Sequence, residues 1–276
     1  LSLRDGFSAN LARRVATALV VLPLLLASFF LGPPLLGVAI VAAAALVGLF
    51  EFFAFADARR LRPMRRSGLL LGAALFLDVA YPGGQGPALW PLAALLLLAV
   101  TLLPGRDLLD TVPSAAITIL GAVYVGALGG AVAALRVLDP VEEGPWRIAL
   151  LLAIIMASDT LAFFAGHALG RRRLAPQVSP GKTVEGAIGG VFGGVAGALA
   201  VRALGLPGLP LAHTLLLGAL VAALGILGDL DESLLKRWAG VKDSGTLFPG
   251  HGGMLDRLDG LLFGAPILYY YYLYFR

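Results

Sequence analysis

The sequence predicts an all-α, polytopic integral membrane protein with about nine transmembrane helices and a cytoplasmic N-terminus. Three observations carry this expectation. Hydrophobic residues fill 59% of the 276 positions and charged residues only 14%, against roughly 25% charged in soluble domains. The apolar residues gather into runs close to the length of about 20 that a spanning helix requires. Lys and Arg collect in alternate gaps between those runs, 17 on one side and four on the other, and positive residues favour the cytoplasmic side.

Spans are expected near 15–31, 35–55, 67–81, 87–103, 114–135, 148–169, 184–204, 211–228 and 257–275. The first follows Arg13-Arg14 and also fits a secretory signal, but its apolar run exceeds the usual length and further spans follow, so a retained helix is expected. Glu51, at the inner end of the second, is expected to pair with an arginine of the next loop. Asp78 and the Tyr81-Pro82-Gly83-Gly84 turn interrupt the third and fourth, leaving a re-entrant reading open. In the sixth, Asp159 lies 12 residues before Arg171, about 18 Å at 1.5 Å per residue. It either lines a cavity, since an intramembrane carboxylate is functional by default, or glues helices together. Gly189-Gly190 and Gly193-Gly194 in the seventh suit close helix packing. His213 opens the eighth as an interfacial residue, and Tyr269 to Tyr272 with Tyr274 form an aromatic belt on the last. Residues 1–110 are expected to support a catalytic region, 111–276, with cytoplasmic loops at 171–183 and 229–256.

Composition removes several chemistries. Cysteine is absent, so any metal must be held by oxygen or imidazole. The net charge of +4 sits in loops between apolar runs, which argues against nucleic acid as a partner and for a lipid bilayer.

The polar chemistry is concentrated in 228–260, which holds six of the 17 carboxylates and four of the 21 Lys and Arg. Asp229 closes one apolar run, and Asp256 and Asp259 open the next at i,i+3, on one helix face. These are hard ligands for Mg²⁺, which prefers a few carboxylates plus substrate phosphates. The glycines of Pro249-Gly250-His251-Gly252-Gly253 let backbone N–H groups approach a phosphate near a helix start. Lys236, Arg237, Lys242 and Arg257 add positive charge. Taken alone, these residue types point to metal-assisted phosphoryl or nucleotidyl transfer at a membrane surface.

Ser233, Lys236-Arg237, Lys242-Asp243, Pro249, His251-Gly252-Gly253, Asp256-Arg257 and Asp259 together resemble the phosphatidate cytidylyltransferase family, the CDP-diacylglycerol synthases. Asp231 departs from the family pattern, and its role stays open. Two further stretches are similar to family blocks: the helix face Asp159, Phe163, Gly166 and Gly170, and Ser179-Pro180-Gly181-Lys182-Thr183 through Gly186. The latter is no P-loop, because Pro176 stands where that motif needs glycine; by itself it also reads as a helix-capping loop. Arg171-Arg172-Arg173 beside it reads as a positive-inside anchor.

The resemblance implies transfer of CMP from CTP to phosphatidic acid, giving CDP-diacylglycerol and pyrophosphate, at the cytoplasmic face of a bacterial inner membrane. It implies Mg²⁺ held by Asp229 and Asp256, with Asp259 as ligand or positioning residue; a monovalent cation and a homodimer are compatible with it. Lys182, Lys236, Arg237 and Arg257 would neutralise phosphate, His251, Gly252 and Gly253 would receive pyrophosphate, and Asp243 would organise Lys242. Ser179, Ser233 and Asp159 complete the expected substrate contacts, and attack is expected to be direct, because Ser233 has no evident histidine–carboxylate pair to activate it. A CTP-dependent polyprenol kinase would use the same metal. An ion-coupled transporter would also place a carboxylate in the membrane but should show repeated halves, and no internal repeat is evident.

Overall fold

A computed structural model describes residues 22–82, 89–101, 108–247 and 252–275. The chain runs through α1 (Leu22–Leu31), α2 (Pro34–Ala58), α3 (Arg65–Ala80), α4 (Trp90–Thr101) and α5 (Leu108–Gly121). A π-helical turn, Ala122–Ala127, joins α5 to α6 (Leu128–Val137), and α7 (Gly144–Leu169) follows. A two-stranded antiparallel hairpin, β1 (Arg173–Ala175) and β2 (Ser179–Thr183), then leads into α8 (Val184–Gly205), α9 (Leu211–Ala239) and α10 (Leu255–Tyr274).

Five helical segments among the described residues are long and apolar enough to cross a membrane: Pro34–Ala58, Leu109–Val137, Val141–Leu169, Val184–Gly205 and Leu211–Ala239. They make this a membrane protein. α3 and α4, on the third and fourth expected spans, have only 16 and 12 residues, short of the about 20 that a perpendicular crossing needs. The Asp78 carboxylate accepts the Leu89 N–H at 3.1 Å and ties the two together. The first half of the expected span 15–31 and residues 83–84 lie outside the described residues.

The first part of the expected loop 229–256 is helix instead, up to Ala239. α9 continues through this stretch, where Glu232 and Lys236 stand at i,i+4 and their opposite charges support the helix. It stops at Gly240, whose φ of 78° is the left-handed geometry of a helix C-terminus.

α7, α8 and α9 pack through a glycine seam. A Cβ on Gly193 would overlap the Ala157 carbonyl oxygen of α7, and one on Gly194 would meet the Ala222 side chain of α9. The small-residue spacing thus lets backbones approach, as the sequence suggested. One buried core joins both parts of the chain: Phe52 and Phe53 of α2 belong with Val125, Ile154, Val221, Leu255 and Leu262. Residues before 110 are therefore packed directly against the helices that follow.

Because the atom opposite Gly193 is backbone and cannot move aside, Gly193→Val is expected to cost about 1–3 kcal/mol and to lower the unfolding midpoint in detergent by roughly 2–10 °C. An unchanged midpoint would show that α7 and α8 can separate freely.

Candidate active site

α9 and α10 meet side by side where their carboxylates lie. Gly228 sits so close to α10 that a Cβ there would overlap the Asp259 carbonyl oxygen. This contact brings Asp229, one residue on, beside Asp259. Glu232 follows one turn along α9, and one carboxylate oxygen from each of Asp229, Glu232 and Asp259 lies within 4.8 Å of the others. Glu232 is 1% exposed. Its Oε2 accepts from Lys236 Nζ at 2.7 Å, while its buried Oε1 has no hydrogen-bond partner among the described residues. Three anions this close in a largely apolar protein need positive charge between them.

Lys236 supplies part of that charge. Its ammonium bridges Glu232 and Asp256, at 2.7 and 2.6 Å. Asp256 is otherwise committed to the loop that precedes α10: its Oδ2 accepts from Ser244 N at 2.9 Å, Ser244 Oγ at 2.9 Å and Gly253 N at 2.8 Å. The sequence grouped Asp229, Asp256 and Asp259 around a metal; the structure groups Asp229 and Asp259 with Glu232 and leaves Asp256 outside. The reason is local. Asp256 opens α10, where unpaired backbone N–H groups and Lys236 claim its oxygens, whereas Glu232 lies deeper, level with Asp229 and Asp259. Gly252 adopts a φ of 80°, which suits glycine, and a Cβ there would overlap Asp256 Oδ2.

Glu51 does not pair with a loop arginine as expected. Its carboxylate accepts from Met254 N at 3.0 Å, Leu255 N at 2.8 Å and Ser244 Oγ at 2.8 Å. The start of α10 offers these donors because Met254 provides no side-chain cap of its own.

Beside the carboxylates opens a cavity of about 570 Å³, lined among others by Asp159, Phe163, His167, Arg173, Lys182 and Asp229. The hairpin delivers two of its cations. Thr183 ends β2 and caps α8 by accepting the Gly186 N–H at 3.1 Å, while Glu185 accepts the N–H groups of Arg171 at 3.0 Å and Arg172 at 3.2 Å. Fixed in this way, Lys182 reaches Asp229 with Nζ 2.5 Å from Oδ2. The stretch read either as a capping loop or as a phosphate contact does cap a helix, and its lysine faces the cavity. Asp159 is exposed to that cavity and interacts electrostatically with Asp229, Lys182 and Arg257.

The remaining candidates are more dispersed. Arg237 is exposed and donates to the Val178 carbonyl at 3.4 Å, tying α9 to the hairpin. Lys242, Asp243 and Arg257 are exposed, and Ser179 and Ser233 are half-buried. His251 lies outside the described residues. Glu232, His167 and Arg173 were not among the expected site residues. Glu232 carried a signal, standing i+3 from Asp229 and i−4 from Lys236; Glu51 carried none, being 193 residues from Ser244.

The arrangement puts three convergent carboxylates next to lysines on two elements and an arginine, at a cavity between helices. It can hold a divalent cation and a polyphosphate together. Comparison with known proteins agrees with this chemistry. The chain is 39% identical over 178 residues to the phosphatidate cytidylyltransferase of Bacillus subtilis, covering 64% of this chain and 65% of that one. It is 34% identical to the Synechocystis enzyme of the same name, over 82% of this chain and 84% of that one. For the Haemophilus influenzae phosphatidate cytidylyltransferase the figures are 31%, 96% and 99%. Against the Escherichia coli protein YnbB, described as uncharacterized, identity is 42% but the match spans only 45% of that protein's length. The sequence pattern named Cytidylyltransferase family matches residues 12–275, and with that span the chain belongs to the cytidylyltransferase family.

Proposed function

We propose that the protein transfers CMP from CTP to phosphatidic acid, releasing pyrophosphate and leaving CDP-diacylglycerol, at the cytoplasmic side of a bacterial inner membrane. One observation carries the reading most: the Asp229, Glu232 and Asp259 cluster, with a buried Glu232 oxygen that has no hydrogen-bond partner among the described residues, sits against a cavity lined by the cations Lys182 and Arg173. Membership of a family of nucleotidyltransferases and likeness to three phosphatidate cytidylyltransferases support the choice of substrates.

The donor set fits Mg²⁺, which takes hard oxygen ligands and keeps room for substrate phosphates. Asp229, Glu232 and Asp259 would hold it. When bound, the ion supplies charge neutralisation on the nucleotide's phosphate chain. Lys182, released from Asp229, and Arg173 pair with phosphate oxygens. Asp256 and Glu232 together keep the Lys236 ammonium pointed at the site. A phosphate oxygen of phosphatidic acid, already anionic at neutral pH, bonds to the α-phosphorus of CTP. The bond from that phosphorus to its bridging oxygen breaks, and pyrophosphate leaves with the electron pair. No general base is needed, since the barrier is repulsion between anions, which fixed positive groups reduce. No covalent enzyme intermediate is needed either.

Three outcomes are expected. Protein given phosphatidic acid and CTP labelled at the α-phosphorus yields labelled CDP-diacylglycerol, and label at the γ-phosphorus appears in pyrophosphate; γ-label in lipid would instead make it a lipid kinase. Asp229→Asn and Glu232→Gln each lower turnover by about 10²-fold or more and raise the Mg²⁺ needed for half-maximal rate, while Asp231→Asn is mild; unaltered Mg²⁺ dependence in Glu232→Gln would take Glu232 out of the ligand set. The chain has no cysteine of its own, so a cysteine at Gln177 should escape an impermeant thiol reagent in intact cells and one at Ala212 should react. The reverse pattern would invert the orientation and separate the site from cytosolic CTP.

A further inference from the structure

We propose that Glu51 is a positioning residue for the transfer reaction: from the N-terminal part of the chain it sets the start of α10 and, through Ser244 and Asp256, the place of the Lys236 ammonium. The proposal rests on the reading of the site given above and extends it to a helix that contributes nothing else to it.

The connection is continuous. Glu51 Oε2 lies 2.8 Å from Ser244 Oγ, Ser244 Oγ 2.9 Å from Asp256 Oδ2, Asp256 Oδ1 2.6 Å from Lys236 Nζ, and Lys236 Nζ 2.7 Å from Glu232 Oε2. Ser244 has one hydroxyl proton, so it donates to one of the two carboxylates at a time, and its oxygen also receives the Asp256 N–H at 3.3 Å. Each carboxylate keeps backbone donors of its own: Met254 and Leu255 N–H for Glu51, Ser244 and Gly253 N–H for Asp256. Bonds from N–H groups to a carboxylate at a helix start are charge-assisted and favoured by the helix dipole.

Packing supports the same assignment independently. A Cβ on either Gly245 or Gly253 would overlap Glu51 Oε1, so these two glycines lie against the carboxylate as tightly as backbone allows. Gly48, nearly one turn earlier on α2, lies against the side chains of Leu255 and Leu258. α2 is thereby seated on the first turn of α10, and that turn also carries Asp259 at i+3 from Asp256. Turning α10 slightly would move Asp256 and Asp259 together relative to Asp229, and the Lys236 ammonium held by Asp256 would be drawn out of place. A misplacement of about 1 Å at a reacting site can cost about 10²-fold in rate.

Glu51 does not line the cavity that holds Lys182 and Arg173. Its loss should therefore act on turnover and not on nucleotide capture. In full-length protein in lipid micelles, Glu51→Gln is expected to lower kcat by about 10- to 100-fold, with KM for CTP changed less than about threefold. Ser244→Ala breaks the relay while leaving Glu51 on the helix start, and it should show the same split. The double variant should lose little more than the worse single one, as expected of residues acting through one another.

A second readout does not depend on activity. The chain has three lysines, Lys182, Lys236 and Lys242, and Lys242 is exposed. Pulse labelling with an amine reagent, read by mass spectrometry as Lys236 relative to Lys242, should rise several-fold in both variants. Wild-type kcat and wild-type Lys236 labelling in Ser244→Ala, or in a folded Glu51→Gln, would overturn the proposal. So would a fall in KM-dependent capture alone. If wild-type protein makes no CDP-diacylglycerol, the proposed function fails, and the labelling ratio still decides the role of Glu51.

Discussion

Three carboxylates held within 4.8 Å of one another, in a protein with few charges, set the constraint to which the surrounding structure answers. Like charges at this range repel strongly, and burial of any one without compensation costs several kcal/mol. Positive charge is therefore brought to them from two independent elements. Lys236 comes from the same helix and is pinned between Glu232 and Asp256. Lys182 comes from the hairpin and pairs with Asp229. The two differ in what surrounds them. Lys236 is enclosed by two carboxylates, whereas Lys182 opens onto a cavity. One is a fixed part of the wall, and the other is free to exchange a carboxylate partner for an incoming anion.

The helices that carry these groups approach by omission of side chains. Gly228 lets α9 meet the Asp259 backbone, and the Gly193 and Gly194 seam draws α8 against α7 and α9. The π turn at Ala122–Ala127 places Tyr124 in the same neighbourhood, its ring 5.9 Å from those of Phe52 and Phe263. Phe263, one turn of α10 from Asp259, packs edge-on against Tyr124, so aromatic rings border this part of the site. Such apolar neighbours give the cluster a low-dielectric setting, in which fixed charges act more strongly than in water.

Much of this was legible in the sequence because it is local. Asp229, Lys236, Asp256 and Asp259 stand out as the charged residues between apolar runs, and Lys182 as the cation before a helix start. The helical reading of 229–239 was missed, because a sudden rise in polarity resembles a loop when the i,i+4 pair of Glu232 and Lys236 is not weighed against it. The same oversight hid Glu232, which looks like a salt-bridge partner on a solvated face. Its burial depends on how α10 lies against α9, and that packing is not written in α9. Glu232 stands where Asp256 was expected for this reason: sequence order shows which carboxylates are near, and only the helix contact shows which are level. Glu51 lies beyond any local signal.

The sequence separation of 203 from Glu51 to Met254 also bears on how the protein comes to be made. During synthesis α2 is complete long before α10 exists, so Glu51 must wait with its carboxylate unsatisfied by the groups that finally hold it. Ser244 and Gly253 likewise lack in that interval the Asp256 carboxylate that they bond in the finished protein. The carboxylate cluster can therefore be completed only once α10 has been made, since α9 carries Asp229 and Glu232 but α10 carries Asp259. A nascent chain that stalls between the two helices holds two of the three carboxylates and no closed site.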